Sequence, residues 1–166
     1  MELLELVEHV RDMFEAGNKE ELKDKIYISV CENEVDKYAK FKELVNDLSV
    51  DWMQMIFQYY YADRKELMQD YTPKSLGELI GQLVGEPEEI IDMCAGSGAL
   101  TIQKWASGFT GKFILYEFDE NVIPFLLFNM IVRNIKCDVH HSDVLSGEVF
   151  KSYHIEQGEK FGILRS

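Results

Sequence analysis

Three kinds of residue are scarce in this chain, and each shortage excludes a class of protein. Among 166 residues there are only 3 cysteines, 3 prolines, and 17 Lys and Arg against 30 Asp and Glu. Cys31, Cys94 and Cys137 are odd in number, far apart and outside any C-x-x-C or Cys/His ligand spacing, which excludes a disulfide scaffold or zinc ribbon and reads as reduced, cytoplasmic thiols. His140 and His141 are adjacent and would point to opposite faces of a strand, so one ion could not readily take both, and no metal site is expected. No apolar run is long enough to span about 30 Å of hydrocarbon. The longest, Ile123 to Val132, is interrupted by Pro124 and Asn129. The amino end, Met1-Glu2-Leu3-Leu4-Glu5, carries acids where a secretory signal has a basic start, so neither a membrane span nor export is expected. A net charge of -13 leaves little with which to neutralise phosphates, so any grip on DNA must come from a basic partner or from sequence outside this segment.

What is present is a core-forming composition, 46% hydrophobic, with two patterns in succession. Through residue 70 the apolar positions recur at helical spacing: Leu3, Val7, Val10 and Phe14, then Val35, Tyr38, Phe41, Val45 and Leu48, then Trp52, Ile56 and Tyr59. Gly17 stops the first helix and Asn18 with Glu21 reads as a capping box for the next. These stripes are packing surfaces, and the run Tyr59-Tyr60-Tyr61 reads more simply as core than as a base-stacking platform. From residue 71 to 166 strand and helix alternate, the signature of a parallel sheet with helices on both faces, and the boundary falls near Asp70 to Tyr71. Thr72 and Pro73 suit the N-cap and first position of a helix ending near Gly85. Strands are expected near Glu89 to Met93, Lys112 to Phe118 and Cys137 to His141, with helices after Gly98 and from Asn121 to Asn134. A fourth strand is expected to begin at Phe161-Gly162-Ile163-Leu164.

The most informative stretch is Ile90-Ile91-Asp92-Met93-Cys94-Ala95-Gly96-Ser97-Gly98-Ala99-Leu100, a buried strand ending in an acid, then a small-residue loop, then a helix. Gly96 and Gly98 would let backbone pass close to a ligand while the helix offers unpaired N–H groups and its positive dipole end. Thr101 stands where a dinucleotide-binding G-x-G-x-x-G carries its third glycine, which argues against hydride transfer. Read as D-x-x-x-G-x-G, the segment resembles the first motif of S-adenosylmethionine-dependent methyltransferases, whose glycines face the methionine half of the cofactor.

Open parallel sheets bind ligands at the carboxyl ends of their strands. Asp119, about twenty residues past the glycine loop, is expected to accept both hydroxyls of an adenosine ribose. Glu117 competes, but alternation leaves it further from the strand end. Asp143 could accept from an adenine amino group while Val144 and Leu145 pack on the ring.

Asp70-Tyr71-Thr72-Pro73, a helix, and then Asp92-Met93-Cys94-Ala95-Gly96-Ser97-Gly98 resemble the N6-adenine DNA methylase family, with the nearest likeness to modification subunits of type I restriction systems. The resemblance spans about Tyr71 to Leu164 and implies a partial Rossmann-like class I methyltransferase sheet behind an amino-terminal helical region. It implies S-adenosylmethionine as cofactor, held by Tyr71, Thr72, Asp92, Cys94, Ala95, Gly96, Gly98, Asp119, Asp143 and Val144, with Asn129 matching the family's asparagine in the second helix. Its partners would be DNA and the specificity or restriction subunits. The family's catalytic motif, Asn or Asp followed by Pro-Pro and an aromatic residue, holds the target base. It should follow Phe161 to Ser166. The only prolines are Pro73, Pro87 and Pro124, so no catalytic residue is assigned and the chain alone is expected to be inactive. A methyltransferase acting on protein or a small molecule shares the first motif. A regulatory module keeping the fold without turnover is the non-enzymatic alternative.

Overall fold

A computed structural model describes residues 2–60 and 72–165. Four helices come first: α1 Leu3–Met13, α2 Lys19–Cys31, α3 Val35–Leu44 and α4 Trp52–Tyr60. The expected cap on α2 is present: Asn18 Oδ1 accepts from Glu21 N–H at 3.0 Å, while the Glu21 carboxylate accepts from Gly17 N–H at 2.7 Å. The return bond thus reaches one residue further out than in an ordinary capping box. After the undescribed segment, which includes the Asp70 to Tyr71 boundary and Tyr61, come α5 Lys74–Leu83, β1 Glu89–Asp92, α6 Ala99–Ala106, β2 Lys112–Glu117, α7 Ile123–Val132, β3 Cys137–Asp143, β4 Glu148–Gln157 and β5 Gly162–Arg165. Pro73, not Thr72, is the flanking residue of α5, because its ψ of 140° is extended and no side chain caps the helix.

The five strands lie in sequence order, β1 to β3 parallel, then β4 antiparallel to β3 and β5 antiparallel to β4. The Phe161 to Leu164 piece is therefore a strand, as expected, but the fifth rather than the fourth. The unexpected β4 precedes it and carries it to the edge furthest from β1.

Helix α7 organises the interior. All ten of its residues are buried, the signature of a helix that is apolar all round. Phe128 receives Phe14, Tyr38 and Phe41 edge-on, with ring centroids 5.5, 5.6 and 5.1 Å away. Such edge-to-face pairs add to plain burial. Helices α1, α3 and α7 thus share one core with the sheet, whose inner face is Phe113, Leu115, Cys137, Val139 and Ile155. On the other face Ile91, Ile114, Tyr116, Asp138 and His140 are all at least partly exposed, and the small Ser142 at the end of β3 is the buried residue there. The alternation led to helices on both faces; among the described residues the buried face is a single one. The cause is topological: β1, β2 and β3 step in one direction, and right-handed crossovers then put α6 and α7 on the same side.

Candidate ligand-binding cleft

The glycine loop is built from both ends. At its start Asp92 Oδ1 accepts from Cys94 N–H at 3.1 Å, and Ala95 N–H reaches Tyr116 O at 2.9 Å, extending the β1–β2 ladder by one rung. Burial raises the Asp92 carboxyl above its ordinary pKa, opposed by the Cys94 N–H. At its end Gly98 has a φ of 98° and a Cβ there would stand 2.6 Å from Met130 Cε and 3.1 Å from Leu126 Cδ1. Glycine at 98 is favoured by that left-handed backbone, and a side chain there would also have to push aside the ends of Met130 and Leu126 on α7. Gly96, with a φ of 56°, has nothing within 4 Å of a built Cβ. Only Gly96 keeps backbone open toward a ligand.

The carboxylates at the end of β2 differ from expectation. Glu117 folds back onto the loop, its Oε2 accepting from Gly96 N–H at 2.7 Å and its Oε1 from Asp119 N–H at 2.8 Å. Asp119 Oδ1 instead accepts from the backbone and side-chain nitrogens of Asn121, each at 2.9 Å, and so stabilises the turn into α7. Burial pushes the Glu117 carboxyl up, and the N–H groups of Asp119 and Gly96 oppose that. Strand alternation alone did not anticipate how far a glutamate can reach when its strand ends beside a loop.

Behind the loop lies a polar clasp. Asp51 caps α4 by accepting from Gln54 N–H at 3.0 Å, and its other oxygen accepts from Ser97 Oγ at 2.6 Å. Asn129 Nδ2 donates to Asp51 Oδ1 at 2.8 Å and to Ser97 O at 2.9 Å. Arg133 Nη1 donates to Asn129 Oδ1 at 2.8 Å, while Nε and Nη2 donate to Leu48 O and Val50 O at 2.8 and 2.9 Å. Burial raises the Asp51 carboxyl, offset chiefly by the Arg133 charge; burial lowers Arg133 to about 10. The amino-terminal helices are thereby tied to Ser97 through α7.

A cleft of about 340 Å³ opens in front of this loop at the carboxyl ends of β1 and β2, between Gly96, Glu117 and Asp119 on one side and Gln54 and Phe57 of α4 on the other. Beside it Phe118, His141 and Phe150 border a second hollow of about 350 Å³. His141 and Phe150 are 4.9 Å apart between ring centroids.

A family model for N-6 DNA methylases matches residues 44–163, well over half of the chain. The chain belongs to the N-6 DNA methylase family. No curated protein and no solved structure gives a significant match. Membership puts this methylase among the DNA methyltransferases, on a mixed α/β sheet consistent with part of a Rossmann-like fold. The match starts at residue 44, so it takes in α4 and Asp51 and reaches well before Tyr71, where the motif resemblance begins.

Of the site residues read from the sequence of this methylase, Thr72, Cys94, Ala95, Gly96 and Asp119 line the cleft together. Asp92 and Gly98 support the loop from behind. Asp143 and Val144 line neither hollow. Asp143 Oδ1 accepts from Leu145 and Ser146 N–H at 2.9 and 3.3 Å, and the Leu145 N–H holds its carboxyl below the ordinary range. Tyr71 lies outside the described residues. The α4 contribution was missed. Its signal was Asp51 followed three residues later by Gln54, a helix-start pattern that marks where α4 begins and not what it faces. Among the described residues no group of His, Cys, Asp and Glu could hold a metal ion, and no helix is long and apolar enough to cross a membrane.

Proposed function

We propose that this chain is the S-adenosylmethionine-binding portion of a DNA adenine-N6 methyltransferase of a restriction-modification system, acting in the cytoplasm with DNA-gripping partner subunits. The observation that carries the reading is the carboxylate of Glu117 held at Gly96, at the carboxyl ends of two parallel strands, in a cleft large enough for part of a nucleoside. The donor set suits the cofactor. Glu117 and Asp119 are acceptors for ribose hydroxyls, Gly96 leaves room for close approach, and Gln54 brings a buried amide oxygen without a partner among the described residues. The methionine arm would lie along Cys94 to Ser97 and Thr72, with the adenine toward Phe118 and His141. When bound, the cofactor supplies an electrophilic methyl group. The chain's own residues bind and orient it, and Asp51, Asn129 and Arg133 keep the loop in one shape. Methyl transfer needs the Pro-Pro-aromatic motif from a further segment, because this sequence has no Pro-Pro pair.

Calorimetry with S-adenosylhomocysteine on the wild type, Glu117→Gln and Asp119→Asn tests the reading. The wild type is expected to bind, and Glu117→Gln to lose roughly 10- to 100-fold, the size of a hydrogen bond to a charged acceptor. Asp119→Asn should lose less. Because the Glu117 pKa is raised, its protonation begins above the usual glutamate range, so wild-type affinity should weaken as pH falls from 7 to 5 while Glu117→Gln stays flat. The same shift makes this carboxyl's contribution to stability full below the unfolded-state pKa and lost as pH rises through the folded value. No binding by the wild type, or undiminished binding by Glu117→Gln, refutes the assignment.

A further inference from the structure

Helix α4 belongs to the helical region, yet its first turn borders the cleft. Gln54 lies one turn beyond the Asp51 cap and is 8% exposed. Its amide oxygen is buried and finds no hydrogen-bond partner among the described residues. Folded proteins leave few such groups unpaired, and those they leave call for a specific cause. The surroundings give one. Gln54, Thr72 and Ala99 line both the cleft and a smaller hollow beyond it that also touches Asp51 and Gly77, whereas Glu117 and Asp119 line the cleft alone. The cleft therefore has two chemically distinct ends, a carboxylate end at Glu117 and a neutral-acceptor end at Gln54. The Asp51 carboxylate beside Gln54 already accepts from Ser97, Asn129 and the Gln54 backbone, which leaves the Gln54 amide oxygen as the unpartnered acceptor on a residue bordering both the cleft and the hollow.

We propose that Gln54 Oε1 accepts a hydrogen bond from the α-ammonium of the ligand's amino-acid arm, which makes α4 part of the binding site and Gln54 a specificity residue for that arm. This rests on the S-adenosylmethionine reading above. With the ribose hydroxyls taken by Glu117 and Asp119 and the adenine amino group directed toward Phe118 and His141, the ammonium is the donor that remains for an oxygen at the Gln54 end.

The test is calorimetry on the full chain with two probes, S-adenosylhomocysteine and 5′-methylthioadenosine, which lacks the amino-acid arm. Wild type, Gln54→Leu and Gln54→Met are compared after thermal unfolding has established that each variant is folded. The expected result is a loss of roughly 10- to 100-fold for S-adenosylhomocysteine with methylthioadenosine changed by less than about twofold. Equal losses for both probes would mean that Gln54 merely supports the cleft, and undiminished affinity for both would mean that water satisfies it; either overturns the inference while leaving the cofactor reading intact. A wild type that binds neither probe overturns the cofactor reading and the inference with it.

Discussion

The loop after β1 and the loop after β3 occupy equivalent places at the carboxyl edge of the sheet, yet they are held in opposite ways. Ser97 and Gly98 are buried and gripped by Asp51, Asn129 and the side chains of α7, whereas Leu145 is 95% exposed and Asp143 satisfies only its own turn. The first loop is shaped in advance by groups distant in sequence. The second is a hairpin turn shaped by its own residues 143–147 and by the pairing of β3 with β4. Equivalent strand ends thus differ in whether the fold has already met the conformational cost of presenting the loop to a ligand.

The largest break in that contrast comes from removing the clasp. Asp51→Ala deletes the α4 cap and two buried acceptor sites and leaves the Arg133 guanidinium without the larger of its two compensating charges, with Asp47 remaining, so urea denaturation should report a loss of about 3 kcal/mol. A midpoint close to wild type would mean the clasp is dispensable. Next come the glycines. Gly98→Ala meets Met130 and Leu126 at a φ of 98° and should cost about 2 kcal/mol, whereas Gly96→Ala, strained at φ 56° but unobstructed, should cost about 1 kcal/mol. Binding should reverse the order, since Gly96 lines the cleft and Gly98 does not. Equal effects of the two substitutions on ligand affinity would contradict the division of labour between them. The smallest effect is expected of Asp143→Ala, which should leave the unfolding midpoint unchanged within error because its carboxylate serves an exposed turn. A clear drop in melting temperature would show that the second loop is anchored after all.

The loop and its neighbours were legible in sequence to different degrees. Asp92, Gly96 and Gly98 could be read because a strand, a small-residue turn and a helix follow one another locally, each with its own chemistry. β4 was missed. Val149, Phe150, Tyr153 and Ile155 are strand-forming residues between Gly147 and Gly158, but only Ile155 is buried, so no alternating core face announces the strand. Glu117 and Asp119 were ordered by strand alternation, which sets the face a side chain leaves from and not how far it bends back. The α4 contribution was least legible, because Asp51 and Ser97 are 46 residues apart and nothing local to either names the other.

Sequence alone determined the elements: helical periodicity up to Tyr60, the strand-loop-helix around Gly96, the almost wholly apolar α7 with its single Asn129, and a net charge of -13. Those features follow from side-chain chemistry acting over one or two turns of backbone. The tertiary structure decided which face of the sheet is covered, that β5 lies at the edge furthest from β1, which glycine faces the cleft, and that α4 forms its wall. Each of these depends on long-range packing and on buried polar groups finding partners across the fold.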